Sequence, residues 1–137
     1  GSKFRVKLCR IKSNGAEEEI AKKKLKIHFT EDSHLVRRKY RNKIKRFIKS
    51  LPKNTNRLIV RAHADQCGSA HYNKVLSEKR FVSVYNLIKR SKFPRRVRKI
   101  EYDIKGESES SAHTHHDRYV EIIARYPKPI RKFNKIK

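Results

Sequence analysis

A chain of 137 residues has room for one domain around one core, and nothing in its composition marks a second. Its 38 Lys and Arg against 13 Asp and Glu leave a formal charge of +25, a field that attracts polyanions without saying which one. Cys9 and Cys67 allow at most a single bridge, which excludes a disulfide scaffold, and no apolar run approaches the roughly 20 residues that cross a bilayer.

Gly1 and Ser2 read as a cloning scar, so any leader or lipid anchor of the parent protein is expected to have been removed. From Lys3 to Ile11 basic and apolar residues alternate, with Phe4, Val6 and Leu8 on one side, which predicts a strand or extended arm. Ser13, Asn14 and Gly15 break it. In the following AEEEIAKKKL, Glu18 and Lys22 stand at i, i+4, which favours a short helix, with a charged lead-in as the alternative. Leu25, Ile27 and Phe29 then alternate with Lys26 and His28 as in a half-buried strand. Thr30, Glu31, Asp32 and Ser33 offer oxygen-bearing caps for a helix striped by Tyr40, Ile44, Phe47, Ile48 and Leu51, which Pro52 ends.

Leu58, Ile59 and Val60 form a short apolar run that predicts a buried strand, stopped by the turn chemistry of Asp65, Gln66, Cys67, Gly68 and Ser69. Phe81, Val84, Tyr85 and Ile88 recur at i, i+3, i+4, i+7 and place the next helix, which Phe93 and Pro94 close. Ile100, Tyr102 and Ile104 alternate as a third strand, and a last strand begins near Asp117. The order β, α, β, α, β, β implies a two-layer α/β sandwich with both helices on one face of a mixed sheet. Residues 1–24 read as an extension, 25–126 as the domain, and 127–137 as a basic tail that cannot easily continue a strand and is expected to be mobile.

The polar groups beyond the central strand stand where open α/β sheets usually receive ligands. Asp65 and Arg80, an anion and a cation on neighbouring elements, make a template for a zwitterion, ammonium on the carboxylate and carboxylate on the planar guanidinium. Spacing alone favours the plainer readings, that the two simply pair or that Arg80 is one more solvated cation. His113, His115, His116 and Asp117 carry donors that suit zinc or nickel. They lie in a Ser-rich stretch without a second spaced ligand pair, so a solvated loop is expected there, with no metal and no cofactor. No paired carboxylates, His-Glu-x-x-His helix or nucleophile with an adjacent base can be assembled, so no enzyme is expected.

The segment HADQCGSAHYNKVLSEKR resembles the signature of the OmpA-like peptidoglycan-binding domain of outer-membrane proteins, peptidoglycan-associated lipoproteins and flagellar stator proteins. His63, Ala64, Asp65, Gly68, Ser69, Tyr72, Asn73, Leu76, Ser77 and Arg80 stand in register with it, without a gap. The resemblance implies that Asp65 and Arg80 clamp the ammonium and carboxylate of meso-diaminopimelate in the wall's stem peptide. It also makes Phe29, Thr30, Asp32, Ser33 and Ala64 pocket neighbours. In the last strand Asp117, Arg118, Tyr119, Val120, Glu121 and Ile122 keep only one of the family's two arginines, as Arg118, which predicts weaker affinity or an altered pocket if the missing cation served the ligand. The expected partners are peptidoglycan and other proteins of an envelope complex in the periplasm, without specific nucleic acid, together with a diffuse, salt-sensitive attraction to anionic surfaces. The competing class is a basic nucleic-acid-binding or protein-protein module that keeps the scaffold but has lost the wall.

Overall fold

Apolar side chains recurring every three to four residues bury one face of each helix. The computed structural model describes residues 9–11, 17–63, 70–104 and 119–130. Helix α1, Arg38–Lys49, turns Tyr40, Ile44 and Ile48 inward. Helix α2, Ala70–Lys89, buries Leu76, Val84 and Ile88. Five strands complete the chain: β1 (Cys9–Ile11), β2 (Glu17–His28), β3 (Arg57–His63), β4 (Ile100–Ile104) and β5 (Tyr119–Pro129). They form one sheet in the order β1-β2-β5-β3-β4. β3 and β4 are parallel, whereas β5 runs antiparallel to both β2 and β3. Alternate residues of the inner strands, Ile27, Leu58, Val60, Ala62, Val120, Ile122 and Ala124, pack against Ile44, Ile48, Val84 and Ile88 as a single core. This is the two-layer α/β sandwich with a mixed sheet that the alternation of elements predicts.

Because β5 separates β2 from β3 and opposes both, those two strands point the same way. α1 and α2 therefore start from the same end of the sheet, beyond His28 and His63, and run back along one face. The opposite face carries ion pairs across β3 and β4. Arg57 donates to both carboxylate oxygens of Glu101, at 2.9 and 2.6 Å, and Arg61 donates to Asp103 at 3.1 Å. The bond from Arg57 holds the Glu101 carboxyl below the ordinary carboxylate range, but pairs this exposed align strands more than they stabilise them.

Three local expectations fail. AEEEIAKKKL is not a helix: from Glu17 onward it is the first part of β2, a twelve-residue strand. The i, i+4 charge pair is a weak local preference, and here it yields to pairing of β2 along the whole of β5, from Glu18 opposite Pro129 to His28 opposite Tyr119. The chain also continues as strand through Pro127 to Pro129. This is tolerated because β3 stops pairing at Arg125, so the prolines lack a partner strand on that side and their missing N–H groups interrupt no ladder there. Asn54 Nδ2 instead donates to the Pro127 carbonyl at 2.9 Å. Finally, the oxygens of residues 30–33 do not cap α1. Arg37 occupies the N-cap position and makes no side-chain cap bond, while Ser33 Oγ accepts from Leu35 N–H at 3.2 Å within the loop.

Candidate functional site

β2 delivers Phe29 to the core, 3 % exposed, and the chain then turns over Thr30 to Ser33. Ser33 N–H donates to the Thr30 carbonyl at 3.0 Å, closing the turn. Inside it Asp32 has φ 59°, a left-handed conformation that Asp and Asn adopt more readily than most residues. The short carboxylate side chain thus stands at the tip of a tight turn at the sheet end where both helices begin.

Arg80 holds this turn from the α2 side. It is fully buried, which removes the solvated-cation reading. Its Nε–H donates to the Ser33 carbonyl at 2.7 Å and Nη2 to the Thr30 carbonyl at 3.1 Å, while Cζ lies 5.1 Å from the centre of the Phe29 ring. One side of the planar fork is therefore committed to the loop backbone. A guanidinium carries five N–H donors in fixed directions, and two of them fix its plane against the loop backbone.

Tyr72, in the first turn of α2, donates its hydroxyl to Asp32 Oδ1 at 2.6 Å. That bond is the main reason the phenol is harder to ionise than an ordinary tyrosine, since losing the proton would set two anions against each other. Tyr72 and Arg80 thus grip the turn at two points, by its carboxylate and by its carbonyls. Asn73 and Ser77 stand seven and three residues before Arg80 on the same helical face, 2 % and 0 % exposed. Asn73 Nδ2 and Ser77 Oγ have no hydrogen-bond partner among the described residues, an unusual state for buried polar atoms.

Of the residues singled out in the sequence, Phe29, Thr30, Asp32, Ser33 and Arg80 come together here. Asp65 and Ala64, Arg118, the histidines His113, His115 and His116, and Cys67 lie outside the described residues. The buried roles of Asn73 and Ser77 and the bond from Tyr72 were not anticipated. Their signal was present as polar residues spaced i, i+4, i+7 with Arg80, on a face that must meet the sheet end.

Comparison with known proteins yields a match between residues 28–120 and the sequence model of the OmpA family. No curated protein sequence matches the chain. Among solved structures, the OmpA-like domain of FopA1 from Francisella tularensis is similar with 21 % identity and a TM-score of 0.60, covering 92 % of this chain and 84 % of that one. The peptidoglycan-associated lipoprotein from Burkholderia pseudomallei gives 18 % identity, a TM-score of 0.55, and coverage of 72 % and 88 % respectively. The cell wall anchor of the T6SS from Pseudomonas aeruginosa gives 20 % identity, a TM-score of 0.53, and coverage of 87 % and 88 %.

Proposed function

The chain belongs to the OmpA family, and from that premise we propose that it is a non-catalytic module that binds peptidoglycan noncovalently and tethers an envelope protein or complex to the cell wall. The ligand is the diaminopimelate end of a stem peptide. Asp65 takes its ammonium, and the Arg80 guanidinium takes its carboxylate. The observation that carries this reading is the placement of Arg80: a buried cation on α2 whose fork is pre-oriented by the Thr30 and Ser33 carbonyls, at the sheet end beyond β2 and β3. An oriented guanidinium loses less freedom on meeting a carboxylate than a solvated one. The names of two similar structures, a peptidoglycan-associated lipoprotein and a cell wall anchor, agree with it. The compartment that follows is the periplasm, with attachment to the outer membrane or an envelope machine through the parent protein. Affinity at a single stem peptide is modest, and repetition of that ligand along the polymer supplies the avidity.

Sedimentation with purified diaminopimelate-type sacculi tests this. Retention of the chain is expected at physiological salt, with release by excess free meso-diaminopimelate and no release by an equal concentration of 1,5-diaminopentane, which has two ammonium groups but no carboxylate. Release by raised salt alone, with diaminopimelate ineffective, would leave only diffuse charge attraction and sink the clamp.

A further inference from the structure

The outer face of the helical layer holds a second feature that wall binding does not use. Two cavities are lined by α1 together with the stretch from Leu87 to Arg95, one of about 550 Å³ and one of about 560 Å³. The first is ringed by Arg38, Arg41, Lys45 and Arg90. The second has an apolar floor of Ile48, Leu51, Phe93 and Pro94 under a rim of Lys49, Lys53, Lys92 and Arg95. All eight cations are exposed, and none forms an ion pair with a carboxylate among the described residues.

The helix that supplies half of them has sacrificed local stability to do so. Seven of the twelve residues of α1 are Lys or Arg, with no acidic residue anywhere in it. Like charges at i, i+3 and i, i+4 repel, and cations in the first turn oppose the helix dipole. On the sheet face, by contrast, Arg57 and Arg61 are each matched by a carboxylate. The seam is therefore an uncompensated cationic cleft with a greasy floor at one end.

We propose that this seam docks on an anionic phospholipid surface, phosphate headgroups meeting the cations and the glycerol and upper acyl region covering the floor of Ile48, Leu51, Phe93 and Pro94. Guanidinium forks and ammonium groups are both phosphate ligands, and an apolar strip flanked by Lys and Arg is the composition of surfaces that lie in a membrane interface. Nucleic acid fits less well: the first cavity has no aromatic side chain on which a base could stack, and the second has only Phe93, partly buried against the core. This goes beyond the wall-binding reading and does not rest on it.

The test is co-sedimentation of the chain with phosphatidylcholine vesicles, with and without phosphatidylglycerol. Binding is expected only when phosphatidylglycerol is present. The triple variant Lys45→Gln, Lys49→Gln, Lys92→Gln is expected to weaken it by about a hundredfold, taking each cation near the surface as contributing on the order of 1 kcal/mol. The control is Lys22→Gln, Lys24→Gln, Lys26→Gln, which removes the same charge from exposed positions of β2 on the face away from the helices, and it should bind as wild type does. Asp65→Ala should also leave vesicle binding intact. Equal weakening in both triple variants would reduce the effect to net charge and overturn the proposal. So would tighter binding to an oligonucleotide that depends on Lys45, Lys49 and Lys92 while vesicles are ignored. Unchanged thermal melts of both triple variants ensure that the comparison concerns binding.

Discussion

Asp65→Ala is expected to release the chain from diaminopimelate-type sacculi, with a loss of roughly ten- to a hundredfold in affinity, the equivalent of one charge-assisted hydrogen-bond set of about 1.5 to 3 kcal/mol. What gives this variant its force is the sign of the change. Removing a carboxylate adds to a net charge of +25, so any binding that comes from diffuse attraction to an anionic polymer should stay level or increase. Only a site in which that carboxylate meets a cationic group of the ligand predicts a fall. Titration of labelled sacculi at two salt concentrations measures it. Retention at or above the wild-type level at both would remove Asp65 from the site.

Arg80→Ala is expected to damage the fold as well as the site, by about 3 to 5 kcal/mol, because it deletes a large, fully buried side chain together with its bonds to two backbone carbonyls. The Thr30 and Ser33 carbonyls lose their donors, and the Phe29 ring loses the cation above it. Arg80→Lys separates the two effects. An ammonium retains the charge but has no planar fork, so it cannot reproduce the paired donation that holds both carbonyls and orients the cation. That variant should fold, with a loss nearer 1.5 to 3 kcal/mol, and still fail to retain sacculi. Denaturant melts combined with sedimentation below each variant's transition provide the check. Full wall retention by a folded Arg80→Lys would show that the fork serves the loop alone.

The sequence made the helices readable because their spacing is local. The stripes of Tyr40, Ile44 and Ile48 and of Val84 and Ile88 face the core as their periodicity predicts. β2 was only half readable, because its first half has little apolar alternation and becomes strand through a partner about a hundred residues away in β5. The same holds for the two prolines of β5, whose tolerance depends on where β3 stops pairing. At the site, the motif brought Asp65 and Arg80 to notice, yet the burial of Arg80 and its grip on two backbone carbonyls belong to no short-range pattern. The cationic seam was invisible for a related reason. Its residues come from separate runs in a sequence where basic residues are everywhere, and only the packing of α1 against α2 shows which of them converge.

The register of β2 against β5 bears on how such a tether carries load. The eleven residue pairs between these strands lie in a row along the sheet, and the Thr30 to Ser33 turn sits at one end of that row while β1 and the start of β2 sit at the other. Tension between a partner joined ahead of β1 and a ligand gripped at the turn would first peel the three pairs of β1. It would then run parallel to β2, where ladder bonds lie across the strand and resist shear together rather than unzipping singly. Pulled in that direction, the domain should rupture at markedly higher force than when β5 is drawn from its Pro129 end perpendicular to the strands, a contrast that optical tweezers with the two attachment geometries can measure.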